Sequence, residues 1–128
     1  MANVAPRLVM ARALMRPALA GRRALTSSGP PIIKPVATLM YTYVEDMETK
    51  RAPHRAEHLK AARASAANGD LLLGGAFEDM QGGMLLFSSK EAAEEFALAD
   101  PYVVEGLVPE FAVRTLSAAA GTFHDVME

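Results

Sequence analysis

Cysteine is absent from the 128 residues of this chain. That excludes disulfides, thiol nucleophiles and thiolate zinc sites. Aromatic residues make up only 6% of the chain, too few for a platform on which nucleic-acid bases could stack. No apolar run approaches the ~20 residues that a membrane span needs, so no membrane association is expected. Acids are missing from residues 1–30, which carry five arginines (Arg7, Arg12, Arg16, Arg22 and Arg23). Residues 31–128 hold 8 basic and 15 acidic side chains, a balance of −7. So acidic a body lacks the broad basic face that nucleic acid requires. The length suits one domain and not two.

The opening segment is rich in arginine, alanine and leucine, with serine near its end. That is the composition of a mitochondrial presequence. Drawn as a helix, Met10 and Leu14 lie roughly opposite Arg12 and Arg16, while Pro6 and Pro17 limit its length. A secretory signal needs an unbroken apolar stretch, which Arg12 and Arg16 interrupt. Residues 1–28 are therefore expected to be a targeting presequence, cut between Arg23 and Gly29, with the mitochondrial matrix as destination. A plastid transit peptide shares these features, and a plain basic tail is the simplest alternative.

Gly29, Pro30, Pro31 and Pro35 mark residues 29–35 as a linker. The domain is expected over 36–116, followed by a flexible tail at 117–128. Val36–Val44 is rich in β-branched and aromatic residues and predicts a strand. A polar loop covers Glu45–Lys50. A helix follows, with Pro53 in its first turn and Gly69 just past its end. Leu71–Phe77 and Met84–Phe87 predict a hairpin bridged by a loop containing Gly82 and Gly83. Ser88 and Glu91 have the spacing of a capping box, which starts a helix over Ser89–Leu98. Asp100-Pro101 stops it, because the residue before proline avoids helical angles. Phe111–Leu116 is the last strand.

The order β-α-β-β-α-β predicts an α+β, ferredoxin-like fold, with both helices on one face of a four-stranded sheet. A sheet with one wet face should alternate apolar and polar residues. Leu71–Leu73 and Met84–Leu86 do not alternate, so both faces should be covered. The expected cover is a second copy, sheet against sheet, in a homodimeric α+β barrel.

Several segments resemble the YCII-related family. Arg55, His58 and Leu59 are similar to that family's helix-opening motif, and the spacing from His58 to Gly69 fits. Gly74-Gly75-Ala76-Phe77 resembles its second strand. Asp100-Pro101-Tyr102-Val103 with Gly106-Leu107 resembles its most recognisable signature. The likeness spans about Val36 to Leu116; His54 departs from it, where an aromatic or aliphatic residue would be expected. The resemblance implies a dimeric ferredoxin-like barrel and a candidate histidine–aspartate pair, here His58 and Asp100. It implies eliminations or isomerisations of small aromatic-degradation products for the members with an assigned reaction, although fold does not dictate function.

Imidazole suits proton transfer, since the free group titrates near ~6.5. A carboxylate touching it fixes the tautomer. Such a pair can take a proton and return it, as elimination and isomerisation require. Arg55 lies three residues from His58 on the same helix face, and its planar fork suits a substrate carboxylate. His58 and Asp100 are thus the candidate catalytic residues and Arg55 the candidate binder of a small acidic metabolite. The plainer alternative is a non-catalytic homodimer that binds a metabolite or a partner protein. In it His58 is structural, Asp100 caps backbone N–H groups, and Arg55 forms a surface ion pair. His54 and His58 are spaced i, i+4, but the HExxH order is absent and no metal is expected. Tyr41, Tyr43 and Tyr102 are candidates for lining a pocket, with core or interface packing as the default for each, and His124-Asp125 is assigned to the tail. Neither glycine pair leads into a helix N-terminus, as a phosphate loop would. There is no nucleophilic-serine motif and no dinucleotide fingerprint, so no cofactor is expected.

Overall fold

A computed structural model describes residues 29–127; the expected presequence lies outside them. Strand β1 (Lys34–Thr42) leads through helix α1 (Met47–Lys50) and a 3-10 turn (Ala52–His54) to helix α2 (Arg55–Ala67). Strands β2 (Leu71–Ala76) and β3 (Gly82–Phe87) follow, then helices α3 (Lys90–Ala99) and α4 (Pro101–Val104) and strand β4 (Glu110–Ala118). Among the described residues these strands form one antiparallel sheet in the order β2-β3-β1-β4, the ferredoxin-like arrangement. No described helix is long and apolar enough to cross a membrane.

β1 begins two residues earlier than expected. Lys34 and Pro35 pair with β4 only, and pairing with β3 starts at Ala37. Pro35 therefore sits where the strand has a neighbour on one side, the setting in which a missing N–H is tolerated. Glu45–Lys50 is not all loop, because Met47 is buried and anchors α1. Pro53 belongs to the 3-10 turn before α2 rather than to α2 itself. The second long helix is capped by Ser89, whose hydroxyl accepts from Ala92 N–H at 3.1 Å. Ser88 lies one residue before this cap, with its N–H bonded to the Asp70 carbonyl, so the Ser88–Glu91 box does not form.

Ala37, Leu39 and Tyr41 alternate onto one face of β1, and Leu85 and Phe87 do the same on β3. Ala93, Phe96 and Ala97 of α3 close over them, with Met47, Tyr102 and Leu107 at the margin. In contrast, α2 is alanine-rich and buries no residue completely. The space between it and β2 stays partly open.

Gly82 and Gly83 lie within β3, not in the hairpin loop. A Cβ at Gly82 would come 2.3 Å from the Tyr41 carbonyl oxygen, and one at Gly83 2.6 Å from the Tyr43 hydroxyl. The pair allows close approach of β1 to β3, and the turn falls on the residues before it, where Met80 has φ +60. A bulge explains the Leu71–Leu73 run. Leu71 pairs with Phe87, but Leu73 pairs with Leu86, so the one-residue slip sends Leu73 to the face away from the helices. There it joins Met40, Met84 and Leu86. Leu73 is 52% exposed, and Leu116, also on this face, 51%.

β4 continues to Ala118, into the segment expected as tail. Beyond it, Lys34 Nζ donates to the carbonyls of His124 and Met127, each at 2.6 Å. The His124 ring bonds the Ile32 carbonyl. No local pattern announces this strap, because a lysine held by backbone carbonyls leaves no spacing in sequence.

Candidate active site

Asp100 ends α3 in extended conformation before Pro101 and caps α4, accepting from Tyr102 N–H at 3.1 Å. It is 1% exposed. Its other oxygen accepts from the Tyr41 hydroxyl at 2.7 Å. His58 Nδ1 lies 2.7 Å from the same oxygen that Tyr102 N–H reaches. An ionised carboxylate only accepts, so Nδ1 must carry the proton. The lone pair of the neutral ring is then on Nε2.

The imidazole is held on further sides. It stacks on the Tyr102 ring, centroids 3.8 Å apart and planes 6° from parallel, and meets Phe96 edge-on at 6.2 Å. Helix α2 presents it four positions into its length, beside Leu59 and Ala62. These three residues border a pocket of about 320 Å³ between α2 and the β2–β3 hairpin. Leu71, Gly74, Gly75 and Leu85 form its sheet side. At Gly74 a Cβ would press on Leu85 at 3.2 Å, so the glycine keeps that wall thin.

The polar wall comes from Arg51, Arg55, Tyr43 and Tyr102. Among the described residues neither guanidinium has a carboxylate partner within 4.0 Å. Burial pushes the Tyr43 phenol upward; the neighbouring Tyr102 adds to this, and Arg51 and Arg55 oppose it. Burial raises Tyr102 as well, again against the two arginines. Tyr41 is raised far above the usual phenol range by burial and then by the Asp100 charge it bonds. All three are therefore protonated donors at neutral pH. The Tyr102 hydroxyl is buried without a hydrogen bond of ordinary geometry, although Arg55 lies near enough to favour its ionised form.

The expected residues come together: His58 bonds Asp100, and Arg55 borders the same pocket. His54, the residue before α2, does not line it. The three tyrosines pack in or against the core as expected, and they also serve the site: Tyr43 and Tyr102 line the pocket, while Tyr41 holds the carboxylate from behind. Arg51 was not anticipated. Its only signal is the four-residue interval to Arg55, just after the stretch read as loop. Among the described residues no three His, Asp or Glu side chains converge as metal ligands.

The solved structure of a 5-chloro-2-hydroxyhydroquinone dehydrochlorinase from Burkholderia phenoliruptrix AC1100, in complex with 2,5-dihydroxybenzoquinone, is similar in fold. Its TM-score is 0.52 at 20% identity, over 62% of this chain and 90% of that one. At this identity the likeness bears on fold alone. No curated protein matches the chain in sequence. The YCII-related domain matches residues 36–117, well over half of the chain. With its sheet order and helix placement as expected, the chain belongs to the YCII-related domain family.

Proposed function

We propose that the protein is a cofactor-independent lyase or isomerase of a small acidic metabolite. One observation carries this reading: an imidazole held at Nδ1 by a buried carboxylate, with Nε2 left as the basic nitrogen beside a pocket that contains Arg55. Arg55 binds a substrate carboxylate. His58 Nε2 takes a proton from the substrate, and Asp100 steadies the imidazolium that forms. The electron pair left behind either expels a leaving group or moves along a conjugated system. In the second case His58 returns the proton to another atom. A dehydrochlorinase of the same fold supports elimination as one form of this chemistry. The direct test is deuterium exchange from D₂O into the acidic C–H bonds of a panel of small hydroxylated and unsaturated acids. Exchange that depends on His58 is expected; acids that bind but never exchange would leave a binding module instead.

The proposed setting is a homodimer in the mitochondrial matrix. Leu73, Leu86, Met40 and Met84 form an apolar patch on a sheet face that also carries Thr38 and Arg114, and apolar surface of this kind favours burial against a partner. Analytical ultracentrifugation at micromolar concentration should give twice the chain mass, and Leu86→Lys should give monomers. A wholly monomeric wild-type protein would rule the dimer out. A reporter fused after residues 1–28 should reach mitochondria; uptake by plastids or retention in the cytosol would refute that address.

A further inference from the structure

Arg51 and the Tyr102 hydroxyl are left over by the proton-transfer chemistry, which uses Arg55 as its one anion clamp. Arg51 and Arg55 line the same pocket, together with Tyr43 and Tyr102. Among the described residues no acidic side chain lines that pocket, and neither arginine is neutralised within 4.0 Å. The pocket therefore holds two positive charges. The Tyr102 hydroxyl adds an independent sign. It is a buried donor with no acceptor, and a buried polar group without a partner costs stability unless a ligand supplies one.

We infer that Arg51, Arg55 and the Tyr102 hydroxyl form a receptor for two neighbouring carboxylates, so that the substrate is a small dicarboxylic acid. This rests on the proposed reaction only for the word substrate; the receptor itself requires no chemistry. Each planar fork matches one carboxylate with two parallel N–H bonds. The hydroxyl donates to an oxygen between them. Tyr102 also carries the ring on which His58 stacks, so one residue connects the charged end of the ligand to the base.

Calorimetric titration of the full chain with maleate, fumarate and crotonate tests this, at mildly alkaline pH where every carboxyl is ionised. Maleate carries two charges on one side, fumarate the same two on opposite sides, and crotonate one. Maleate should bind at least about tenfold more tightly than crotonate, with fumarate between, and added salt should narrow the gap. Arg51→Gln should bring maleate down to the level of crotonate. Tyr102→Phe should weaken maleate severalfold with little change in melting temperature, because the buried O–H it removes donates to no acceptor in the free protein. Equal affinity for maleate and crotonate would overturn the receptor, as would an Arg51→Gln variant that binds maleate like the parent. So would a Tyr102→Phe variant that loses stability but keeps affinity. None of these titrations involves turnover. A failed receptor leaves His58-dependent exchange standing, and absent exchange leaves the receptor standing.

Discussion

Replacing His58 by Gln should slow deuterium exchange into a substrate by about 10²–10⁴-fold, the usual contribution of a positioned acid–base group. The same variant should keep its fold. Its amide N–H can still donate to the Asp100 carboxylate, and that carboxylate retains the bonds from Tyr41 and from Tyr102 N–H. What disappears is the basic lone pair, for which an amide has no equivalent. The lost stacking on Tyr102 and a weaker hydrogen bond should together cost no more than about 1.5 kcal/mol. Exchange rates and urea midpoints measured side by side decide the matter. Undiminished exchange would remove His58 from the chemistry. A collapse of stability with only a proportionate loss of exchange would make it structural.

Asp100→Ala should be the most damaging single change in the domain. The carboxylate accepts from three donors on three elements: His58 of α2, Tyr41 of β1 and Tyr102 N–H at the start of α4. Alanine leaves the Tyr41 hydroxyl buried with no acceptor and removes the cap of α4. An unsatisfied buried donor costs about 1–3 kcal/mol and a lost cap about 1 kcal/mol. The sum, about 2–4 kcal/mol, is a large share of the total stability of a small domain. Should Asp100→Ala not fold, Asp100→Asn separates the two roles. Its amide offers one accepting oxygen and one donating nitrogen, so some of the network survives, but it no longer dictates which imidazole nitrogen is protonated. Loss of tautomer control in a His–Asp pair costs up to about 10⁴-fold in rate. Folded Asp100→Asn with full exchange activity would show that the carboxylate serves the architecture alone.

These two variants also mark what could be read from the chain. The order of elements was legible because each carries its own punctuation: β-branched runs for strands, Gly69 after α2, Asp100-Pro101 after α3. The His58–Asp100 pair was reachable through the resemblance of two short segments. The third member of the network was not. Tyr41 sits at a core position of β1, and alternation alone makes it an ordinary inward residue; only the fold shows that its hydroxyl meets Asp100, 59 residues away. Arg51 was hidden for a related reason. A buried Met47 turns the expected loop into a helical lead-in, and that lead-in carries Arg51 to the pocket. The Leu71–Leu73 run looked like a strand covered on both faces, whereas a bulge divides its leucines between them. Gly82 and Gly83 resembled turn residues because a glycine pair looks alike in a loop and in a crowded strand. What distinguishes the two is a neighbouring chain that local sequence does not contain.

The strap at Lys34 fixes where the domain can be handled. Lys34 pairs with Ala118 and holds His124 and Met127, so both ends of the fold meet at one end of β1. Thr42, next to Tyr43 and the pocket, lies eight residues along that strand, about 26 Å away at ~3.3 Å per residue. A tether, a solid support or a second protein unit spliced onto either end would hang from the Lys34 end of β1. The domain can thus be linked from front or back at the end of β1 away from Tyr43.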